Sequence, residues 1–186
     1  MKMKYKIVVL LLLAMLNLQA QKAKKKHSVK RPVATKVATE SSSESSNSKP
    51  SEEIVWQTDI NKAITISQKE KKPLLLFFTG SDWCGWCIRL QNEVLKTPEF
   101  AVWANKNVVL VELDFPRRTP QLPEIQQQNS QLQNAFGVQG FPTVWFVNPT
   151  VSEGKINFSP LDKTGYVAGG PSAWIAVADG ILTSKK

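Results

Sequence analysis

Residues 73–90 read PLLLFFTGSDWCGWCIRL, and the change of character at their middle decides the fold. Pro73 opens the continuous apolar run LLLFF, the pattern of a strand buried on both faces of a parallel sheet. TGSDW breaks that run, and the two cysteines of the chain, Cys84 and Cys87, follow at once. From there CIRLQNEVLK has helical periodicity, with Cys87, Leu90 and Val94 on one face and Leu95 beside it. The cysteine pair therefore lies where a buried strand hands over to a helix.

Working outward, IVWQ (residues 54–57) is a short strand candidate. DINKAITISQKEKK then predicts a helix capped by Asp59, with Ile60, Ala63, Ile64 and Ser67 on one face. After the cysteine helix, TPEFAVWANKN adds a short helix with Thr97 as cap and Pro98 in the first turn. VVLVELDF is a β-branched strand, PRRTPQLP a proline-rich loop, and EIQQQNSQLQNAFG a polar helix ending at Gly137. TVWFV predicts a strand, NPTVSEG a turn, KINF a shorter strand, and AGGPSAWIAVADGIL a last helix. The expected order, β-α-β-α-β-α-β-β-α, is that of an α/β domain with a mixed central β-sheet flanked by helices.

The segment before this domain has a different composition. MKMKYK precedes the apolar run IVVLLLLAML, and a basic start, a short apolar core and a small residue at Ala20 predict a secretory signal peptide over residues 1–20. The run is short for a membrane span, which needs about twenty apolar residues. Residues 21–53 are basic and then serine-rich, which predicts a disordered tether. The folded domain is expected over residues 54–186. Lys and Arg number 3, 8 and 13 in residues 1–20, 21–50 and 51–186, against 0, 2 and 13 for Asp and Glu, so the net charges are +3, +6 and 0. The domain itself is neutral, which argues against nucleic acid as a partner. His27, the one histidine, falls in the tether and so is an unsuitable catalyst for the domain.

A lone pair of cysteines has three uses to weigh. As a structural staple, a bridge across two intervening residues closes almost no loop and constrains the unfolded chain little. As a zinc site, two cysteines supply half of the usual ligands, so no metal is expected, although a shared site in a dimer or a soft-metal carrier for Cu(I) uses this pair as well. As a redox couple, Cys84 at a helix start would have its thiol pKa lowered by the macrodipole and free N–H groups. Cys84 would then sit exposed at the tip as attacking thiol, and Cys87, one turn on, more buried as resolving thiol. The redox use fits best.

TGSDWCGWC after an apolar strand, together with GFPT before a later strand, resembles the thioredoxin superfamily over nearly all of the chain from Ile54 onward. Within it, FFTGSDWC, VELDFP and GFP before an apolar strand are similar to the exported DsbH-type thiol:disulfide oxidoreductases. The resemblance implies a thioredoxin-like fold, a periplasmic location, a redox-active Cys84–Cys87 disulfide and no other cofactor. It implies Pro142 as the cis-proline that helps hold an extended substrate, with Phe141 setting partner preference and Trp83, Gly85 and Trp86 framing the attacking sulfur. It also implies oxidised exported or envelope proteins as substrates and a DsbD-like membrane thiol relay as electron donor. No dimerisation segment is visible, so a monomer is expected.

One departure concerns the proton. Thioredoxins place a buried acid six residues before the first cysteine, where this chain has Phe78. Glu112 and Asp114 on the following strand are the candidate substitutes for a proton shuttle. Gly85 and Trp86 put no positive charge between the cysteines, which together with the resemblance predicts a reducing potential nearer the −270 mV of thioredoxin than the −120 mV of DsbA. A disulfide-forming oxidase is the alternative enzyme.

Overall fold

The computed structural model describes residues 53–184. The expected signal peptide and all of the tether before Glu53 lie outside the described residues. The elements run α1 (Ile60–Glu70), β1 (Leu74–Thr79), α2 (Gly85–Leu90) continued by a π-helical turn (Gln91–Leu95), α3 (Pro98–Asn107), β2 (Val109–Asp114), α4 (Pro123–Ala135), β3 (Thr143–Ser152), β4 (Lys155–Thr164) and α5 (Gly170–Thr183).

The sheet order is β2-β1-β3-β4. β1 lies parallel to β2 and antiparallel to β3, and β3 and β4 form an antiparallel hairpin. The sheet is therefore mixed, as the alternation of elements predicts. β1 is buried along its whole length because it has a strand on each side and a hydrophobic cluster on each face. Side chains alternate across it: Leu75 and Phe77 join the cluster that holds both cysteines, while Leu74, Leu76 and Phe78 join the cluster under α1. α1 buries Ile60, Ala63, Ile64 and Ser67, and the Asp59 side chain accepts the N–H groups of Asn61 and Lys62, which satisfies two orphan donors of the first turn.

On the cysteine face the core is aromatic. Trp174, wholly buried, stands edge-on to Phe100 and Trp103, with ring centroids 5.6 and 5.9 Å away. Its indole N–H donates to the Gly165 carbonyl at 3.0 Å, and that of Trp103 to Asp179 at 2.7 Å, so neither buried donor is orphaned.

Several expectations need correction, among them KINF, which opens a β4 as long as β3 rather than a shorter strand. IVWQ does not form a full strand: only Gln57 bridges to Val111, after which the chain turns at once into the Asp59 cap. NPTV is strand rather than turn, because β3 runs on to Ser152 and reverses at Glu153 and Gly154, both at positive φ (52° and 73°). Pro149 is tolerated there because β1 pairs only with Thr143–Val147, so β3 has no partner on that side at Pro149. Finally, CIRLQNEVLK is not one regular helix but α2 followed by the π-helical turn.

Candidate active site

The two cysteines are joined in a disulfide with Cα atoms 5.2 Å apart, within the ordinary span of such a bond. Cys84 is the N-cap of α2, and its Sγ accepts the Cys87 backbone N–H at 3.2 Å. Gly80 fixes the approach, since its carbonyl accepts the N–H of Cys84 at 2.9 Å. Cys84 is 7% exposed and Cys87 fully buried. The expectation of an exposed Cys84 is thus corrected: in the disulfide form it packs into the aromatic cluster that Trp83 and Phe141 border. The small exposure that remains to the pair belongs to Cys84 and none to Cys87.

Trp83 and Phe141 pack against the cluster that holds the disulfide, and Pro142 follows Phe141 in the chain. The Trp83 and Phe141 rings stand 5.9 Å apart, and the Phe141–Pro142 peptide is cis. Phe141 also stacks on Phe115 at 5.1 Å. Trp83 is held on three sides: its Nε1 donates to the Phe115 carbonyl at 2.8 Å, the Arg117 guanidinium lies 3.7 Å from its ring centroid, and its indole fills the space a side chain on Gly80 would need. Gly85 has open space where a Cβ would go, and Trp86 projects into solvent.

Two aspartates tie the loop before the disulfide to the loop after β2. Both Asp114 oxygens are taken by Ser81, one by its N–H at 2.8 Å and the other by its hydroxyl at 2.6 Å. Asp114 thereby helps shape the loop before the disulfide. Asp82 accepts three consecutive N–H groups, from Arg117, Arg118 and Thr119 at 3.0, 2.7 and 3.0 Å. The Arg117 N–H holds the Asp82 carboxyl below its usual range, burial opposes this, and the Arg118 and Thr119 donors add to it.

Glu112 is different. It is the register partner of Phe77, is half-buried, and lines with Phe77, Trp56, Leu95 and Lys96 an open cleft of about 1110 Å³ on the cysteine face. Burial pushes its carboxyl up, Asp114 adds to the rise, and Lys96 opposes it. Phe78, six residues before Cys84, points to the opposite face, so the acid offered to the cysteine side comes from the neighbouring strand.

Sequence reasoning did not single out Arg117, Tyr166, Arg89 or Glu93. Arg89 and Glu93 form an ion pair at 2.7 Å across one helical turn, a spacing readable in the sequence. Arg117 and Tyr166 reach the site from distant loops, and no local pattern signals them. The Tyr166 hydroxyl, and then Arg89, hold the Glu93 carboxyl below its usual range.

A family described as a thioredoxin-like domain matches residues 60–160. The chain is 38% identical over 115 residues to a disulfide bond reductase DsbH of Chlamydia pneumoniae, a match covering 62% of this chain and 65% of that protein. It is 32% identical over 137 residues to the thioredoxin-related protein DsbJ of the same organism, covering 74% of this chain and 39% of that one. The chain thus spans less than two thirds of the length of either of these curated relatives. Among solved structures a DsbH oxidoreductase matches with a TM-score of 0.64 and 33% identity, over 76% of this chain and 94% of that one.

Proposed function

This chain belongs to the thioredoxin-like family, and on that premise we propose that it is a thiol:disulfide oxidoreductase that reduces disulfides in exported proteins. The observation that carries the reading is the Cys84–Cys87 disulfide at the start of α2, with Cys84 the less buried of its two members. The reducing direction draws support from the relative named as a disulfide bond reductase and from the uncharged pair Gly85 and Trp86 between the cysteines.

In the reduced protein the Cys84 thiolate attacks one sulfur of a substrate disulfide. A bond forms between Cys84 and that sulfur, and the other substrate sulfur leaves as a thiolate. Cys87 then attacks Cys84 Sγ, the second substrate sulfur departs, and the Cys84–Cys87 disulfide is restored. Two electrons pass from protein to substrate. We assign the proton that Cys87 must lose to Glu112, whose carboxyl burial has made more basic and whose cleft opens to water. Trp83, Phe141 and Pro142 are the proposed contacts for an extended substrate strand. The periplasm is the proposed site of action, a DsbD-like membrane thiol relay the proposed donor, and a monomer the proposed working form.

The test is the midpoint potential of the pair in glutathione or dithiothreitol buffers, with Cys84→Ser as control. A value near −270 mV supports a reductase, and one near −120 mV makes the protein an oxidant. Absence of any reversible couple would sink the redox reading and favour soft-metal binding by the two sulfurs.

A further inference from the structure

Only Trp86 and the glycine before it separate the two cysteines, and the Trp86 side chain is 56% exposed. An indole left open beside a reactive disulfide is a contact surface rather than a core residue. It is nevertheless held in place. The Trp86 and Tyr166 rings lie 5.2 Å apart, and the Arg89 guanidinium sits 5.4 Å from the first centroid and 5.0 Å from the second. Glu93 closes the set: one of its oxygens accepts Arg89 Nε at 2.7 Å and the other accepts the Tyr166 hydroxyl. The π-helical turn supplies Glu93 while sending Val94 and Leu95 into the core.

Tyr166 is anchored in turn through its neighbour. The Gly165 carbonyl accepts the Trp174 indole N–H, and a Cβ on Gly165 would come within 3.2 Å of the Pro142 carbonyl oxygen. The two rings therefore join the tip of α2 to the segment around Pro142. Arg89 is already ion-paired to Glu93 and lies over both rings, so what this surface offers a partner is aromatic carbon rather than a free charge.

We propose that Trp86 and Tyr166 form a shelf that receives an aromatic or large aliphatic side chain next to the reactive cysteine of the substrate, with Glu93 as the positioning residue that holds Tyr166 and Arg89. The inference rests on the reductase reading and adds its substrate class: disulfides in extended chains with an apolar neighbour.

The probe is a pair of disulfide-linked peptide dimers, Ala-Gly-Phe-Cys-Gly-Ala and Ala-Gly-Ser-Cys-Gly-Ala, mixed in excess with pre-reduced protein. The ratio of their second-order rate constants is read within each variant, so differences in folded fraction cancel. An aromatic contact predicts a wild-type ratio of about two- to tenfold in favour of the Phe peptide. Trp86→Ala brings the ratio close to one, and Tyr166→Phe and Glu93→Gln each lower it by less. A wild-type ratio near one overturns the shelf and leaves the reductase reading standing. So does a ratio that survives Trp86→Ala. Failure of wild-type protein to reduce either peptide overturns both.

Discussion

Phe77 on β1 and Glu112 on β2 are register partners, and both line the cleft that Gln91 and Leu95 of the π-helical turn border. An apolar side chain thus occupies β1, and the carboxylate of this face lies one strand over. The consequence is a half-buried acid on the cysteine side of the sheet, reached through the cleft rather than from beneath the first cysteine.

Glu112 should therefore show opposite effects on stability and on turnover. Its carboxyl is raised in the fold, so its neutral form is the favoured one. That contribution is full below the ordinary carboxylate range and is lost as pH rises through the raised value. At pH 7 the ionised wild-type side chain carries a desolvation cost that Glu112→Gln removes. Glu112→Gln should melt higher than wild type at pH 7, and the advantage should shrink as pH falls through the raised value and be gone by about pH 4. The same substitution should slow release of the mixed disulfide on the order of tenfold to a hundredfold and flatten its pH profile. A mutant that is both less stable at pH 7 and unchanged in rate would sink the assignment.

The two cysteines should fail differently. Cys84→Ser removes the attacking sulfur and should leave no disulfide reduction above background. Cys87→Ser keeps the attack but removes the escape, so it should accumulate a stable Cys84–substrate mixed disulfide. Non-reducing electrophoresis followed by mass spectrometry of the adduct reads this directly. Trapping by Cys84→Ser instead would reverse the division of labour argued from the 7% and 0% exposures.

Asp82 should act through the loop it holds. Its three N–H donors come from residues that also carry Arg117 over Trp83. Asp82→Ala should speed proteolytic cleavage within residues 115–120 and loosen Trp83, visible as altered near-UV dichroism. Because the Asp82 carboxyl is held low, this contribution is present above the ordinary carboxylate range and is lost as pH falls through the lowered value. Wild type should accordingly become as cleavable as Asp82→Ala only below the ordinary carboxylate range. Equal cleavage rates at pH 7 would refute it.

What the sequence made legible follows from the range of the forces involved. The α1 face of Ile60, Ala63, Ile64 and Ser67 was readable because helical period and capping are local. The buried strand and the cysteines at the following helix start were readable for the same reason. β3 through Pro149 was not, since Asn-Pro signals a turn and only the pairing with β4 overrides it. Counting six residues back from Cys84 reached Phe78, but strand alternation puts Phe78 on the far face, and nothing in a count of residues reveals which face is which. The charge reckoning between the cysteines also missed Arg117, which a distant loop brings over Trp83.

Two glycines five residues apart should respond to alanine with opposite signs. A Cβ on Gly80 would overlap the Trp83 indole, whose Nε1 is tied to the Phe115 carbonyl and whose face is covered by Arg117. The ring cannot yield without breaking those contacts, so Gly80→Ala should cost about 1–3 kcal/mol. A Cβ on Gly85 meets nothing within 4 Å, and Gly85 is the first residue of α2. There alanine removes backbone freedom from the unfolded chain and suits a helix, so Gly85→Ala should gain about 0.4–1 kcal/mol. Urea denaturation of the oxidised proteins measures both. Were Gly80→Ala neutral, Trp83 would be a mobile ring rather than a fixed wall of the site, and the Asp82 clip would lose its purpose along with it.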